Sequence, residues 1–363
     1  MENMKTKIKD MHEKILFKVR HTSSVKIIPT VFLIIILVGT ILLMLPIAQK
    51  GEGGASFTDS LFTATSATCV TGLVRFDTYT HWTTFGQLVI LSMIQIGGLG
   101  FMTIVMWIMS LTTYKIGLNS RFLLQNSISA PQVGGMVRMT RFILWGTLLV
   151  EGLGAVLLSG IFVPRYGWGK GIYFSVFHSI SAFCNAGFDL MGWEEQFSSL
   201  TLMGNNWHLN FIIMALIIVG GLGFMVWKDM LECKFHFKKF RLHTKIVVVT
   251  TVFLITFGAI VIFLMEYGEA GTAGKEIPEQ ILNALFQSVT VRTAGFNTID
   301  LTQMTEASRF LMSILMLIGG SPGSTAGGIK TTTFAVLCIS IISVFKRKKT
   351  EEAFGRRMED GVM

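Results

Sequence analysis

Charged residues are scarce in this chain of 363 residues, and their scarcity argues against an ordinary soluble domain. Asp, Glu, Lys and Arg make up 15% of the sequence, whereas about a quarter is typical of soluble domains. Long apolar runs lie at 27–47, 85–111, 142–163, 209–227, 246–265 and, with an interruption, 310–345. Because about 20 apolar residues cross a bilayer as a helix, the sequence predicts an all-α integral membrane protein.

Cysteine pairs and catalytic motifs are also missing. The four cysteines form no CxxC pair, and the seven histidines show no metal-ligand spacing. The sequence therefore supports neither a disulfide framework nor a metal cluster. No nucleophile–base pair or phosphate-binding loop is recognisable either. We predict that the chain is not an enzyme and that it binds no cofactor.

Three short segments, each ending in a small-residue turn with a glycine, lie between the apolar runs. The segments, at 56–67, 171–182 and 279–291, are too short to span a bilayer and are typical of re-entrant structure. They lead into the turns TCVTGL (68–73), FCNAGF (183–188) and RTAGF (292–296), here called the first, second and third turn. Irregular backbone at membrane depth is tolerated where it is buried in protein or lines a wet cavity. Three such turns predict the lining of a pore.

The chemistry of the turns favours a monovalent cation. Backbone carbonyls can replace the hydration shell of an ion without burying a full charge, and glycine lets the backbone approach the ion closely. None of the three turns contains a carboxylate, which argues against a divalent-cation filter. The predicted potassium filter consists of Thr71, Gly72, Ala186, Gly187, Ala294 and Gly295.

Basic residues predict the orientation of the chain. They are concentrated in the basic N-terminus 1–26, in the linkers 112–141 and 228–245, and in the basic segment 346–363. By the positive-inside rule these regions and both termini are cytoplasmic, so the turns enter from outside. The units between them are 27–111, 142–227 and 246–345, the last with a broken final helix. Carboxylates in the outer loops would attract cations to the entrance.

The three units share more than the turns. Each second helix carries a glycine cluster, IGGLG at 96–100, VGGLG at 219–223 and IGG at 318–320. Such clusters are typical of close helix packing. Repeated units predict that equivalent parts meet at a common axis, which is the natural place for a conduction path.

With these turns, in this order and on this topology, the chain resembles the Trk/Ktr/HKT superfamily of potassium transporters, and most closely its KtrB-type membrane subunits. The resemblance covers essentially the whole sequence, including the strings SAFCNAGF (181–188) and TVRTAGFN (290–297). It implies helix–pore loop–helix units around a pseudo-fourfold pore. Three of the expected four units are present, and the segment 346–363 would lead into the fourth.

The resemblance also implies function and partners. In this family serine in place of the first filter glycine accompanies sodium selectivity, so Gly72 favours potassium. Sodium-stimulated potassium uptake, a homodimer in the cell membrane and a cytoplasmic nucleotide-binding ring of the KtrA type are expected. No nucleic-acid partner is needed to explain the basic charge.

Proline and glycine break the last apolar run, and the freed backbone groups should face a cavity. The similar segment in Ktr relatives gates the pore beneath the filter, whereas the alternative is a simple packing kink. The candidate gate is Ser321, Pro322, Gly323, Ser324, Thr325, Ala326, Gly327, Gly328 and Lys330. Lys330 either binds carbonyls of this gate or extends toward the cytoplasm.

Three further side chains carry expectations. Glu151 lies inside an apolar run, where a carboxyl group is either functional or hydrogen-bonded to a neighbouring helix. Arg292 would repel cations at the axis, so we predict an ion pair with outer-loop carboxylates. Cys69 and Cys184 occupy equivalent turn positions, for which small, buried side chains are sufficient.

Two alternatives to a potassium translocator remain open from the residues. A secondary transporter of an organic solute or of another monovalent cation would be expected to show polar side chains at the midplane, where Glu151 stands nearly alone. A non-conducting fragment or assembly chain is the other alternative, because the pattern contains three units. Ion flux from the chain alone and competition by different solutes would separate these functions.

Overall fold

The computed structural model describes residues 24–51, 55–100, 103, 136–347, 352–354 and 356–357. Helices dominate these residues, and the strands are one antiparallel pair of two residues each, β1 (Glu352–Ala353) and β2 (Arg356–Arg357). The predicted all-α membrane fold is confirmed. The predictions for residues 1–23, for 104–135 of the second helix and first linker, and for most of 348–363 lie outside the described residues.

The α-helices follow the predicted order of long and short segments. They are α1 (Ser24–Met44), α2 (Phe57–Thr68), α3 (Thr78–His81), α4 (Thr84–Leu99), α5 (Met136–Tyr166), α6 (Trp168–Phe183), α7 (Trp207–Leu222), α8 (Phe224–Glu232), α9 (Leu242–Glu266), α10 (Ile277–Thr290), α11 (Glu306–Leu317) and α12 (Thr331–Phe345). Short 3-10 helices occur at Pro46–Ala48, Met191–Trp193, Thr201–Met203 and Phe237–Lys239.

Three arrangements of the same kind succeed one another along the chain. In each, a long first helix (α1, α5 or α9) packs against a short middle helix (α2, α6 or α10), and a second helix (α4, α7 or α11) follows. By length and composition α1, α5 and α9 can each cross a membrane, whereas α4 and α12 are shorter apolar helices. We call these arrangements the first, second and third unit.

Serine and glycine hold the first and middle helices together in two of the units. The Ser179 hydroxyl on α6 donates to the Glu151 carbonyl on α5 at 2.7 Å, and the Ser288 hydroxyl on α10 donates to the Ile255 carbonyl on α9 at the same distance. A glycine three residues later leaves room for each hydroxyl, because a Cβ on Gly154 or Gly258 would lie 2.5 or 2.4 Å from it. Small residues at the helix contact therefore set the distance between the helices.

The run 209–227, a candidate span in the sequence, is broken. Gly223 separates α7 from α8 with φ +90°, and the two helices meet at 93°. A side chain at residue 223 would be strained, and its Cβ would lie 2.7 Å from the Pro322 carbonyl oxygen. Hydropathy alone did not predict the bend because both halves are apolar at their junction. The run 310–345 is interrupted as predicted, by the non-helical residues 318–330 between α11 and α12, here called the interrupting loop.

Candidate functional site

The first and second middle helices end in the same hydrogen-bonded turn. The Thr71 N–H donates to the Ser66 carbonyl and the Ala186 N–H donates to the Ser181 carbonyl, both at 2.8 Å. Between donor and acceptor, Val70 and Asn185 adopt left-handed φ values of 55° and 56°. This is the arrangement of a Schellman motif, which satisfies carbonyls that a helix end leaves unpaired.

The third turn follows the same course with one residue fewer. Thr293 has φ 72°, and the N–H groups of Ala294 and Gly295 both point to the Thr290 carbonyl, at 2.9 and 3.4 Å. The glycines of the three turns, Gly72, Gly187 and Gly295, have φ values of 80°, 69° and 88°. These conformations favour glycine, which explains why the turn motif recurs.

The three turns meet backbone to backbone. A Cβ on Gly72 would lie 2.7 Å from the Ala186 carbonyl oxygen, and a Cβ on Gly187 would lie 2.5 Å from the Ala294 carbonyl oxygen. A Cβ on Gly295 would lie 3.2 Å from the Gly187 Cα. The structure thus brings together Gly72, Ala186, Gly187, Ala294 and Gly295, with Thr71 directly before Gly72. The second and third turns thus each present a main-chain carbonyl, of Ala186 or Ala294, beside the glycine of a neighbouring turn.

Buried hydrogen bonds join the second and third turns to the ends of their middle helices. The Ser181 hydroxyl donates to the Phe188 carbonyl and the Thr290 hydroxyl donates to the Phe296 carbonyl, both at 2.6 Å. Phe188 and Phe296 are fully buried, whereas Leu73, which follows Gly72, is 58% exposed. The first turn is therefore less enclosed than the other two by the part of the chain that the structure describes.

The interrupting loop folds back on itself beside the turns. The Gly320 N–H donates to the Gly327 carbonyl at 3.1 Å, the Thr331 N–H donates to the Gly320 carbonyl at 3.1 Å, and Ser321 and Thr331 share a hydrogen bond between hydroxyls at 3.0 Å. The Lys330 ammonium group donates to the Ala326 carbonyl at 2.8 Å. This contact is the first of the two alternatives predicted for Lys330.

Hydrogen bonds connect the interrupting loop to two of the turns. The Thr325 hydroxyl donates to the Phe183 carbonyl and accepts from the Asn185 amide, both at 2.9 Å. The Gly327 N–H donates to the Thr293 hydroxyl at 3.2 Å. Asn185 and Thr293 were not among the predicted site residues, although asparagine at a left-handed position is a recognisable signal. The candidate gate thus lies directly against the first residues of the second turn and against Thr293 of the third.

The same loop satisfies the backbone groups that the break at Gly223 sets free. The N–H groups of Ser321 and Thr325 donate to the carbonyls of Gly221 and Gly220, at 3.0 and 3.2 Å, and the Phe224 N–H donates to the Gly323 carbonyl at 2.9 Å. Lipid could not satisfy these groups, so each break supplies hydrogen-bond partners that the other needs. The bend between α7 and α8 and the interrupting loop therefore form one structural element.

The glycine clusters pack closely, as predicted. A Cβ on Gly97 would lie 2.0 Å from the Thr68 carbonyl oxygen, and a Cβ on Gly220 would lie 2.0 Å from the Phe183 carbonyl oxygen. Both carbonyls belong to the last residue of a middle helix. The clusters in the first two units thus let each second helix touch the end of the middle helix that precedes the turn.

The predicted ion pair of Arg292 is wrong. Its guanidinium group lies 3.4 Å from the Thr251 hydroxyl and 3.4 Å from the Gly319 carbonyl oxygen, and it is buried. No carboxylate pairs with it among the described residues. Arg292 lies two residues after the end of α10, where a positive charge interacts favourably with the helix dipole. The side chain therefore faces the broken helix rather than the outer loops.

Several carboxylates of the predicted outer loops have structural roles. Asp59 pairs with Arg75, Asp77 accepts from the N–H groups of Tyr79, Thr80 and Phe197, and Glu194 accepts from Arg165 and Tyr166. Glu195 and Asp300, by contrast, line a cavity of about 350 Å³ together with Asn297, which follows the third turn. The predicted attraction of cations remains a prediction for these exposed groups.

The two turn cysteines differ in their surroundings. Cys184 is fully buried, as predicted, whereas Cys69 is exposed, so that prediction is wrong for Cys69. The difference follows from the neighbours, because α4 and α5 cover Cys184 and no described element covers Cys69. The predicted hydrogen bond of Glu151 to another helix is present, from the Gln95 amide at 3.1 Å.

Comparison with known proteins assigns a family to this arrangement. The chain is 41% identical over 345 residues to the potassium/sodium uptake protein NtpJ of Enterococcus hirae, covering 95% of this chain and 75% of that protein. It is 41% identical over 329 residues to the Ktr system potassium uptake protein B of Bacillus subtilis, covering 90% and 72%.

A solved structure and a family model agree with these relatives. The fold matches the potassium transporter TrkH of Vibrio parahaemolyticus with a TM-score of 0.64 at 20% identity, over 90% of this chain and 65% of that one. The TrkH family model, described as cation transport protein, matches residues 5–358. The chain belongs to the TrkH family of cation transport proteins.

Proposed function

We propose that the chain is the pore-forming part of a transporter that takes up potassium across the cell membrane. The observation that carries this proposal is the contact between turns, in which the carbonyls of Ala186 and Ala294 lie beside Gly72 and Gly187. Carbonyls on several sides of one axis can replace the water around an ion. The similarity to one relative named a potassium uptake protein and to another named a potassium/sodium uptake protein supports potassium as that ion.

The turns provide no charged ligand that would favour a divalent ion. Their side chains are threonine, cysteine, alanine, asparagine and apolar residues, apart from Arg292, which faces away. Selection then depends on the spacing and number of main-chain dipoles. Filter residues Thr71, Gly72, Ala186, Gly187, Ala294 and Gly295 would supply three sides of the ion path in this proposal.

Replacing Gly72 by serine should weaken discrimination against sodium. The new side chain meets a φ of +80° and the Ala186 carbonyl oxygen at 2.7 Å, so the first two turns must separate. Strain of about 1–2 kcal/mol would reduce the preference for potassium by about 10-fold. Uptake of both ions by transport-deficient cells expressing the full-length protein measures this preference.

Gly268 offers a matched control for that substitution. It has the same φ of +80°, but nothing lies within 4 Å of a Cβ at this position. Gly268→Ser carries the same backbone strain outside the turns and should leave the ratio of potassium to sodium uptake unchanged. Equal ratios for wild type, Gly72→Ser and Gly268→Ser would rule out a filter at the first turn.

The interrupting loop would act as the gate in this proposal. Its residues Ser321–Gly328 lie against Phe183 of the second turn and Thr293 of the third. Lys330 donates to the Ala326 carbonyl. Irregular backbone at membrane depth is tolerated where it is buried in protein or lines a wet cavity, which is where a gate would lie. Regulation would reach this loop through α8, which begins at the Phe224–Gly323 hydrogen bond.

The proposed orientation follows the basic residues. The loop after the second turn would be outside, and the loop 228–245, with both termini, would be cytoplasmic. Gln196 and Lys239 are exposed residues of these two loops. In intact cells, and in a full-length protein without native cysteines, an impermeant thiol reagent should label Gln196→Cys and not Lys239→Cys. Labelling of Lys239→Cys from outside would invert the topology.

Partners are proposed from the relatives. The name of the Bacillus subtilis relative places that protein in a Ktr system, which implies further components. We propose that this protein likewise forms a homodimer above a cytoplasmic nucleotide-binding ring of the KtrA type, with sodium as an activator. The 6 basic residues of loop 228–245 would face such a ring or the lipid headgroups.

A further inference from the structure

A polar cluster inside the membrane joins the first two units behind the second turn. The Gln95 amide on α4 donates to the Glu151 carboxyl group on α5 at 3.1 Å. The Cys184 thiol lies 3.6 Å from the Gln95 Oε1 and 4.0 Å from the Glu151 Oε1, so it can donate to either oxygen. Glu151 is buried, and no described cation pairs with it.

The third unit has an isoleucine, Ile255, at the position of Glu151. Glu151 and Ile255 are equivalent, because each accepts a serine hydroxyl at 2.7 Å and each is followed three residues later by the close-packed glycine. The backbone contact between first and middle helix therefore forms with an isoleucine side chain as well. Holding these two helices together does not require the carboxyl group of Glu151.

Gln95, the hydrogen-bond partner of Glu151, also occurs in one unit and is replaced by apolar residues in the other two. Gln95 precedes Gly97 by two residues, and the residues two positions before the matching Gly220 and Gly319 are Ile218 and Leu317. Both polar side chains thus stand where the repeat otherwise has apolar ones. A buried carboxyl group costs free energy in the membrane, since one hydrogen bond offsets only part of its lost hydration. Packing alone would favour the apolar residues.

The cluster ends at the second turn. Cys184 is the residue that caps α6, and Ala186, two residues later, presents its carbonyl to Gly72. Gly98, on the same helix as Gln95, also touches this cysteine, because a Cβ there would lie 2.8 Å from the thiol sulfur. A shift of Cys184 relative to α4 would therefore change the contact between the first and second turns.

We propose that Glu151 is a positioning residue for selectivity: together with Gln95 it fixes the Cys184 end of the second middle helix and so sets the spacing between the Ala186 carbonyl and Gly72. This inference rests on the proposed function, because it assumes that the turns select potassium. Glu151 acts through Gln95 and Cys184 and does not touch the ion. The carboxyl group therefore affects one contact between turns, the contact of the first turn with the second.

Substituting Glu151 by the residues that the repeat suggests tests this role. The full-length transporter is purified into liposomes, and potassium flux, the ratio of potassium to sodium flux and the thermal unfolding midpoint are measured. Glu151→Ile should lower the flux ratio by about 5- to 10-fold, the size expected when one net hydrogen bond no longer favours the correct geometry. Glu151→Gln keeps an acceptor for Gln95 and should stay within about twofold of wild type.

Ile255→Val is the matched control at the equivalent position. It removes one methylene from the third unit and should lower the unfolding midpoint without changing the flux ratio. If Glu151→Ile fails to accumulate, Gln95→Leu is measured instead. It introduces the leucine found at the matching position of the third unit and removes the same hydrogen bond. Loss of folded protein in both variants would assign the cluster to folding and overturn the inference.

The remaining outcomes separate this inference from the proposed function. A wild-type protein that does not prefer potassium would contradict the proposed function itself. If wild type discriminates and folded Glu151→Ile discriminates equally well, the positioning role alone is wrong. Equal losses in Glu151→Gln and Glu151→Ile would also overturn it, because hydrogen bonding to Gln95 would then not be the property that matters.

Discussion

Replacing Gly187 by alanine should nearly abolish potassium flux. Gly187 has φ +69°, and an added Cβ would lie 2.5 Å from the Ala294 carbonyl oxygen and 2.9 Å from the Gly295 Cα. Backbone of a neighbouring turn cannot move aside as a flexible side chain can. Strain of about 1–2 kcal/mol at the left-handed residue, added to this clash, should reduce flux by more than about 10-fold. Flux is measured in liposomes per amount of folded full-length protein.

Gly274 supplies the control for this substitution. Its φ is +76°, but a Cβ there would meet nothing within 4 Å. Gly274→Ala therefore shares the backbone strain without the contact between turns, and its flux should equal that of wild type. The filter assignment at the second turn fails if folded Gly187→Ala conducts as well as Gly274→Ala.

The sequence predicted the helices and turns well because their causes are local. Segment length distinguished α2, α6 and α10 from spanning helices, and the small residues around Gly72, Gly187 and Gly295 indicated left-handed backbone. Each of these properties depends on a few neighbouring residues. The recurrence of one pattern three times then indicated that the turns meet, since equivalent parts of a repeat lie around a common axis.

The break between α7 and α8 could not be predicted in the same way. Gly223 belongs to a VGGLG cluster nearly identical to the IGGLG cluster at 96–100, whose helix also stops before its last glycine. The bend is fixed by the Gly323 carbonyl, which accepts a hydrogen bond from the Phe224 N–H. These two residues are 99 positions apart in the sequence. Local hydropathy does not depend on a partner so distant in the sequence.

Arg292 shows a second limit of the sequence. Charge alone suggested a carboxylate partner, and the outer loops contain many. In the structure several of those carboxylates have other partners, as Asp77 does in accepting from three N–H groups. The guanidinium group of Arg292 lies by the Gly319 carbonyl, at the start of the interrupting loop, because the turn directs it inward. Direction of a side chain depends on the turn's geometry, which composition does not encode.

If the turns form the filter and α8 lies on the cytoplasmic side, as proposed, these contacts make the interrupting loop a junction between the two. Thr325 reaches the second turn, Gly327 reaches the third, and Gly323 reaches the start of α8. Movement of α8 would thus be transmitted to the loop through one backbone hydrogen bond. The loop would in turn release Asn185 and Thr293, which are the left-handed residues directly beneath the carbonyls of the proposed filter.

Deleting residues 323–327 in the full-length transporter should raise the maximal potassium flux several-fold and loosen its dependence on the proposed regulatory partner. The deletion removes the loop from beneath the second and third turns, while Ser181 and Thr290 still hold these turns from behind. The flux ratio of potassium to sodium should therefore change little. Flux and ratio are measured in liposomes per amount of folded protein, with and without the cytoplasmic partner.

A single substitution separates this gate from a packing kink. Thr325→Val keeps the length of the loop but removes the hydroxyl that binds Phe183 and Asn185, so we expect a smaller rise in flux than the deletion gives. Thr325→Ser keeps that hydroxyl and should conduct like wild type. A kink that merely joins α11 and α12 predicts the reverse, because shortening it misaligns two packed helices and reduces the folded protein. Normal amounts of the deletion variant with unchanged or lower flux would therefore refute the gate.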